Sequence, residues 1–210
     1  MNLFSQLAAE PTHEEIYPGA VLMRGLALEQ DAEFLAALEA ILAAAPLHNA
    51  MTPSGLPMSV MVSDCGTAEA FRRRWDPQNP SVRRMWPPIP RVLFDFAIRC
   101  AVRSGFPRFR PDACHINRYQ AGTKLGIHQD RHEFDLYQPI VSISLGLECI
   151  FLLGGFQRTD KTKRILLEHG DVIVWGGPSR MRFHGVQPLK PGHHPLTGPY
   201  RYNLTFRKVA

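Results

Sequence analysis

The half of the chain after residue 110 is patterned as a series of short strands. Apolar residues alternate with polar ones or form short runs, and turn residues separate the segments, which span 113–119, 124–128, 139–146, 149–153, 163–168, 171–175, 181–187 and 200–207. Eight short strands with turns between them predict a β-sandwich or β-barrel. Candidate metal ligands (His128, Asp130 and His184) lie on or beside separate predicted strands of this half. Ligands from separate strands can meet on the concave face of one sheet, so we expect a double-sheet, cupin-like jelly roll.

The half before residue 111 mixes helices with irregular segments. One helix is predicted from 31 to about 45, with Leu35, Leu38 and Ile41 on one face and Asp31 as its N-cap. A second helix is predicted from 91 to about 104, a short strand at 20–28 and another within 51–65, while residues 1–20 are a weakly patterned arm. We therefore expect a single domain over 1–210, α+β but mainly β, in which an N-terminal extension (1–110) precedes a β core (111–210).

Composition and cysteine usage narrow the class of protein. An apolar fraction of 45% and a charged fraction of 20% are typical of a globular chain. No apolar run is long enough to span a bilayer, and the first residues lack the pattern of a secretory signal. The four cysteines are widely spaced and form no Cys-x-x-Cys, which is typical of free thiols in a reducing compartment. We expect a cytoplasmic, monomeric protein with no membrane partner.

Positive charge is concentrated in one segment. Residues 71–110 hold ten arginines and two aspartates, a surplus of +8, so the rest of the chain carries −3. The overlapping segment 66–90 is rich in proline and predicts a long loop in which arginines are interleaved with Trp75 and Trp86. Aromatic rings among cations are what a single-stranded nucleic acid site uses. On charge alone, a polyanionic partner and a solvated helix face followed by a flexible loop remain open alternatives.

A possible metal site is visible at His128 and Asp130. In an extended strand, residues two apart point to the same face, so this His-x-Asp pair can present an imidazole and a carboxylate to one point. A second histidine from a later strand, for which His184 is the candidate, completes a set typical of non-haem Fe(II) oxygenases. The alternative is a surface histidine beside a solvated acid.

The last predicted strand is a candidate anion site. Arg201, Asn203, Thr205 and Arg207 share one face and apolar residues the other. The polar face is either an exposed edge or a pocket floor for a dianion such as 2-oxoglutarate. The two arginines lie ~20 Å apart along a strand, so they could serve only opposite ends of a ligand. Asn117 and Tyr119, which share a face of another strand, are suitable hydrogen-bond donors to a carboxylate.

Several motifs together resemble one family. They are Thr52-Pro53, Met58-Ser59-Val60, Pro-Asp-Ala-Cys (111–114), Ile-Asn-Arg-Tyr (116–119), Lys-Leu with His-Gln-Asp (124–130), Pro-Ile-Val-Ser-Ile-Ser-Leu-Gly (139–146), Leu-Leu-Glu-His-Gly-Asp-Val (166–172), Val-Trp-Gly-Gly (174–177), His-Gly (184–185) and Arg-Tyr-Asn-Leu-Thr-Phe-Arg (201–207). With these residues the chain resembles the AlkB family of Fe(II)/2-oxoglutarate-dependent nucleic acid dealkylation dioxygenases. The resemblance implies a double-stranded β-helix (jelly roll) as catalytic core, preceded by helices and a nucleotide-recognition lid.

The resemblance also implies a reaction and the residues that carry it. Fe(IV)-oxo hydroxylation would remove N-alkyl groups of the 1-methyladenine and 3-methylcytosine type from DNA as aldehyde, converting 2-oxoglutarate and O₂ to succinate and CO₂. The catalytic residues, which are also the implied iron ligands, are His128, Asp130 and His184. The implied 2-oxoglutarate residues are Asn117, Tyr119, Arg201, Asn203 and Arg207, with Arg201 at the distal carboxylate and Arg207 at the end nearer the iron.

For the substrate, the resemblance implies contacts from Met58, Phe71, Trp75, His132 and Arg158. Phe71 or Trp75 would stack on the base, and Arg158 would contact the nucleic acid. His132 stands where the family pattern implies an acid that touches the base, and the adjacent Glu133 could take its place. The implied partner is single- or double-stranded DNA with alkylated bases, and RNA is a further candidate.

Two other functions remain alternatives. The first is an Fe(II)/2-oxoglutarate dioxygenase that acts on a small molecule or a protein side chain, against which the arginine and tryptophan segment argues. The second is a non-catalytic cupin-like binding module, which an intact metal set disfavours.

Overall fold

The computed structural model describes residues 13–51, 55, 57–67, 86–131 and 133–210. These residues form twelve strands and two α-helices, joined by turns and two short 3-10 segments. The helices are α1 (Asp31–Ala44) and α2 (Arg91–Arg103). The strands are β1 (His13–Tyr17), β2 (Ala20–Met23), β3 (His48–Met51), β4 (Pro57–Gly66), β5 (Ala113–Tyr119), β6 (Leu125–His128), β7 (Ile140–Gly146), β8 (Cys149–Leu153), β9 (Lys163–Leu167), β10 (Val172–Trp175), β11 (His184–Val186) and β12 (Arg201–Arg207).

The strands make two antiparallel sheets. The large sheet has the order β1-β2-β10-β7-β12-β5-β4-β3, and the small sheet has the order β6-β11-β8-β9. The expected mainly β, jelly-roll architecture is therefore confirmed. In the large sheet the strands from before residue 110 flank the four strands from after it, because β2 pairs with β10 on one side and β4 pairs with β5 on the other.

Alternation along β12 separates the core from the cavity between the sheets. Leu204 and Phe206 are fully buried and belong to an apolar cluster with residues of both helices. Asn203 and Thr205 face the other side and line a cavity. The helices pack on the cluster side, where Phe34 of α1 meets Phe96 of α2 with ring centroids 4.8 Å apart. The helices thus cover the large sheet from behind and leave its concave face to the site.

The eight strands predicted after residue 110 are all present, and each begins and ends within three residues of its expected range. The helices at 31–44 and 91–103 also agree with the prediction. Two strands were missed, β1 within the supposed arm and β3 before β4. Both are edge strands of the large sheet. An edge strand is paired on one side only and carries a weaker apolar pattern, as β1 illustrates, in which Ile16 is the single buried residue.

The prediction that Asp31 is the N-cap of α1 was wrong. Gln30 occupies that position, and Asp31 is the first residue of the helix. Its carboxylate instead accepts a hydrogen bond from His169 Nε2 at 3.0 Å, and His169 Nδ1 accepts one from the Gly146 backbone N–H at 2.9 Å. His169 therefore has the structural role expected of it, because it ties α1 to the large sheet.

The four cysteines, Cys65, Cys100, Cys114 and Cys149, are buried free thiols, as predicted. Burial raises the pKa of the Cys100 thiol to about 12, so this side chain stays protonated. Neither described helix is long and apolar enough to cross a membrane.

Candidate active site

A cavity of about 420 Å³ lies between the two sheets, and we call it the catalytic cavity. The large sheet contributes polar side chains to it, among them Asn117, Tyr119, Arg201, Asn203 and Arg207. The facing wall holds His128, Asp130, Phe151 and His184. Residues from strands far apart in sequence therefore line one cavity.

The three expected metal ligands come together in this cavity. His184 at the start of β11 lies directly opposite His128 at the end of β6, because the two strands pair at these residues. Asp130 follows just after β6, with Oδ1 3.8 Å from His128 Nε2 and Oδ2 3.3 Å from His184 Nε2. The candidate ligand atoms all lie within 4.8 Å of one another. Two imidazoles and one carboxylate at this spacing fit a facial Fe(II) site.

Backbone carbonyls orient both imidazoles. His128 Nδ1 donates to Gly126 O at 2.8 Å, and His184 Nδ1 donates to Arg182 O at 3.1 Å. A carbonyl can only accept, so Nδ1 carries the proton and Nε2 is left as the ligand atom. Burial, with repulsion from His184, lowers the pKa of His128 to about 4. His128 is therefore neutral at physiological pH, which is the form that binds a metal.

A buried ion network holds the carboxylate of the set. Arg207 Nη1 lies 2.7 Å from Asp130 Oδ1 and 2.8 Å from Glu133 Oε1. Arg180 donates from Nη1 to Asp130 O at 2.6 Å, and its Nη2 lies 3.1 Å from Glu133 Oε2. Burial alone would raise the pKa of Asp130, but Arg207 and the two imidazoles outweigh it and keep that pKa well below its usual range. Asp130 is thus held ionised.

This network bears on the suggestion that Glu133 takes over recognition of the base. The Glu133 side chain is only 5% exposed, and its oxygens are engaged by Arg180 and Arg207. A carboxylate needed to balance two buried guanidinium groups is not available to a substrate. These contacts argue against that suggestion, which stays a prediction.

A second polar cluster in the cavity, formed by Arg201 and Tyr119, is only partly hydrogen-bonded. Arg201 is 1% exposed and donates from Nη2 to Ser144 Oγ at 2.9 Å. Its Nε and Nη1, like the Tyr119 hydroxyl, have no hydrogen-bond partner among the described residues. Burial raises the pKa of Tyr119, so its hydroxyl remains a donor. Buried donors around a guanidinium are costly unless a ligand meets them, and a carboxylate fits this arrangement.

Asn203 and Asn117 lie opposite each other on β12 and β5, beside this cluster. Asn203 Nδ2 donates to Ser142 Oγ at 2.6 Å, and its Oδ1 accepts from Thr205 Oγ1 at 3.0 Å. Its amide is therefore already engaged with the sheet. The ligand contacts expected of both asparagines remain predictions.

The expected substrate residues are only partly described. Met58 lines the catalytic cavity. Arg158 is exposed on the loop between β8 and β9, with its guanidinium carbon 5.8 Å from the Phe183 ring centroid. Phe71, Trp75 and His132 lie outside the described residues.

Several residues of the site were missed by the sequence analysis. Arg180 and Ser144 gave no signal, because their partners are distant in sequence. His115 and Asp64, which form a pair in the cavity wall, are a different case. His115 shares the face of Asn117 and Tyr119 by simple alternation and could have been found with them.

The ion network yields a stability prediction. Glu133→Gln removes one of two buried carboxylates and leaves two guanidinium groups with a single charge partner. We expect the free energy of unfolding of the metal-free protein to fall by about 3–5 kcal/mol, as measured by urea denaturation. The exposed Glu148→Gln, the matched control, should change it by less than about 0.5 kcal/mol. Equal stability of both variants would contradict the assigned network.

Comparison with known proteins agrees with this geometry. Residues 19–207 match the model of the 2OG-Fe(II) oxygenase superfamily. The chain is 45% identical over 214 residues to the alpha-ketoglutarate-dependent dioxygenase AlkB of Escherichia coli (strain K12), covering 100% of this chain and 98% of that protein. It is 42% identical over 214 residues to the Salmonella typhimurium protein of the same name, with the same coverage.

A solved structure is also similar. The structure of OsALKBH1 superposes with a TM-score of 0.77 at 28% identity, covering 94% of this chain and 100% of that one. The paired imidazoles and carboxylate, the unpartnered guanidinium and the full-length similarity agree with one another. The chain belongs to the AlkB family of the 2OG-Fe(II) oxygenase superfamily and is an Fe(II)- and 2-oxoglutarate-dependent dioxygenase.

Proposed function

We propose that this dioxygenase oxidatively removes N-alkyl groups of the 1-methyladenine and 3-methylcytosine type from DNA, with RNA as a further substrate. The observation that carries the proposal is the catalytic cavity itself, which joins the His128, Asp130 and His184 set to the unpartnered donors of Arg201 and Tyr119. Nucleic acid as substrate is supported by relatives named nucleic acid dioxygenase ALKBH1 (human), tRNA demethylase abh1 (Schizosaccharomyces pombe) and DNA N(6)-methyladenine demethylase ALKBH1D (Arabidopsis thaliana).

In this proposal His128, Asp130 and His184 would hold Fe(II), the metal that two imidazoles and one carboxylate suit. When bound there, Fe(II) with O₂ and 2-oxoglutarate supplies the oxidising power that hydroxylates the alkyl carbon, while succinate and CO₂ are released. Arg207 and Arg180 keep Asp130 ionised and in place. The carbonyls of Gly126 and Arg182 keep both Nε2 atoms available to the metal.

The co-substrate would lie along the large sheet. Arg201 pairs with its distal carboxylate, and Tyr119 and Asn117 donate hydrogen bonds to it. Asn203 supports this floor through Ser142. Arg207 Nε, which is buried and has no partner within the described part of the chain, would donate at the metal end.

The hydroxylated carbon remains attached to the base nitrogen and then separates without further help from the metal. The hydroxyl proton leaves, the carbon–nitrogen bond breaks, and the base nitrogen takes the electron pair as the aldehyde departs. A cavity of about 420 Å³ between two sheets has no room for a duplex. The target base must therefore leave its stack and enter alone.

A second cleft, of about 970 Å³, is a candidate surface for the rest of the nucleic acid, and we call it the aromatic-basic cleft. Phe134 and Tyr137 are 76% and 88% exposed in it. Arg108, Arg110 and Lys208 also line it. Exposed rings among cations suit a strand whose bases stack while its phosphates meet positive charge. Arg180 lines this cleft and also bonds to Asp130, so the cleft adjoins the metal site.

We also propose that the protein works in the cytoplasm. Four buried free thiols are typical of a reducing compartment. The monomeric state remains a prediction.

The first experiment tests the reaction itself. Protein reconstituted without oxygen with Fe(II) and 2-oxoglutarate is exposed to air and to an oligonucleotide containing 1-methyladenine or 3-methylcytosine. Mass spectrometry should show loss of one methylene unit (14 Da), with formaldehyde and succinate formed in equal amounts. The variants His128→Ala and His184→Ala should be inactive, since each removes one metal ligand. Succinate formation without repair of any oligonucleotide would contradict the proposal and favour a small molecule or a protein side chain as substrate.

A second prediction concerns Arg201. In Arg201→Lys a point charge replaces a planar group with two free donors. The KM for 2-oxoglutarate should rise at least about tenfold, which corresponds to ~1.4 kcal/mol, when succinate is measured against 2-oxoglutarate concentration. Fe(II) affinity should not change, because the metal ligands are untouched. The control Arg91→Lys alters an exposed arginine of α2, on the opposite side of the large sheet, and should leave KM unchanged. A normal KM in Arg201→Lys would refute this assignment.

A third prediction concerns the aromatic-basic cleft. The double variant Phe134→Ala, Tyr137→Ala should raise the KM for a long alkylated oligonucleotide at least about tenfold, because stacking contributes ~1–3 kcal/mol per base. Activity on a single alkylated nucleotide should not change, since that substrate does not reach the cleft. Phe156→Ala, which truncates another exposed ring (50%), is the control. Equal losses on both substrates would show that the cleft does not bind the strand.

A further inference from the structure

The segment between β6 and β7 belongs to both the metal site and the aromatic-basic cleft. We call its residues 129–131 and 133–139 the β6–β7 loop. Asp130, near the start of the loop, is one of the three candidate metal ligands. Tyr137, near its end, is 88% exposed and lines the cleft. One loop therefore carries a metal ligand at one end and a ring for strand binding at the other.

A single side chain from another part of the chain holds this loop at three points. Arg180 is only 2% exposed. Its Nη1 donates to Asp130 O at 2.6 Å, its Nε donates to Gln138 O at 3.0 Å, and its Nη2 lies 3.1 Å from Glu133 Oε2. The start, the middle and the end of the loop are thus bound to one guanidinium group. Because that group is planar and its donor directions are fixed, the three points are held in a fixed relation to one another.

Further hydrogen bonds extend this connection to the cleft. The Asp135 carboxylate accepts a hydrogen bond from the Tyr137 backbone N–H at 2.9 Å and another from Gln138 Nε2 at 3.1 Å. The carbonyl of the same Gln138 accepts from Arg180. A continuous series of hydrogen bonds therefore leads from the backbone of Tyr137, through Asp135, Gln138 and Arg180, to Asp130.

This connection gives an expected sign to the effect of one site on the other. When Asp130 ligates a metal ion, the start of the loop is fixed, and Arg180 transmits that restraint to the end of the loop. Less conformational entropy is then lost when a strand binds at Tyr137. Metal binding should therefore strengthen strand binding, and thermodynamic linkage requires the strand to strengthen metal binding by the same factor.

We propose that Arg180 is a positioning residue that couples binding of a nucleic acid strand in the aromatic-basic cleft to binding of the metal by Asp130. The inference rests on the proposed function and deepens it, because it states how the strand-binding surface regulates the metal site. The metal site is most stable when a strand occupies the cleft, and this favours oxidation at the time when a substrate is present.

The test measures binding rather than activity. Co(II), a divalent ion of the same series, replaces Fe(II), and the strand is a long single-stranded oligonucleotide without an alkylated base, so that no target base is needed in the catalytic cavity. Fluorescence anisotropy gives the Kd of the oligonucleotide with and without Co(II). In the native protein Co(II) should lower this Kd at least about fivefold, and the oligonucleotide should lower the Kd for Co(II), followed by absorbance, by the same factor. His128→Ala, which lacks a metal ligand, should show no such factor.

Two variants of the connection are compared with a matched control. Arg180→Lys keeps the positive charge, but the factor should fall below about twofold because a flexible point charge replaces the planar fork. Asp135→Ala removes the carboxylate that joins Tyr137 to Gln138 and should have the same effect, so it decides the question if Arg180→Lys does not fold. Arg24→Lys should keep the native factor, because Arg24 also bonds a carbonyl and a carboxylate but does not line the cleft.

The factor separates coupling from damage to the fold, since a purely structural role of Arg180 would lower the amount of folded protein and leave the factor unchanged. A native protein whose oligonucleotide Kd does not depend on Co(II) would overturn this inference. Variants Arg180→Lys and Asp135→Ala that keep the full factor would do so too. A protein that shows the factor and its loss in both variants, but demethylates no alkylated oligonucleotide, would support the coupling and overturn the proposed reaction alone.

Discussion

The contact between Arg207 and Asp130 is the interaction on which the site depends. Arg207 is the last residue of β12, a central strand of the large sheet, and Asp130 follows β6, an edge strand of the small sheet. Their 2.7 Å contact therefore spans the space between the sheets. Glu133 and Arg180 complete the network and balance its charge. A single buried network thus holds the sheets at their separation and keeps a metal-binding carboxylate ionised. Its groups are mutually dependent, because each buried charge is tolerable only while its partners remain.

One face of the large sheet forms part of the hydrophobic core, and the other face lines the catalytic cavity. Along β12, Leu204 and Phe206 pack against the helices while Asn203 and Thr205 face the catalytic cavity. Because both faces belong to the same strand, packing of the apolar face also fixes the positions of the polar side chains. This suits a site that must hold a small dianion in one position. The cavity follows a sequence of rows along this sheet, with Arg201 and Tyr119 at one end and Arg207 at the other. His115, which pairs with Asp64 on one side and Thr205 on the other, occupies a row between these ends.

Most of the fold could be predicted because period-2 alternation and turn residues are local properties. The bounds of the strands after residue 110 were predicted to within three residues. The strands β1 and β3 were missed because edge strands have weak apolar patterns. Asp31 shows a second limit of prediction from local sequence. Its side chain is suited to capping a helix, but it accepts a hydrogen bond from His169 in a distant turn instead. In the site, His128, Asp130 and His184 were found from residue type and spacing. Arg180 was not, since its partners lie 42 and 50 residues away.

Residue types and their spacing were enough to identify the available groups, namely two imidazoles, a carboxylate and a strand with arginines on one face, because both are properties of a few neighbouring positions. How these groups are used depends on contacts between distant parts of the chain. Strand register brought His184 opposite His128 and Asp64 opposite His115, and chain packing turned Glu133 inward and left Arg201 with unpaired donors. The reason is physical: a buried polar group acts through whichever partners reach it, and those partners come from strands far apart in the chain.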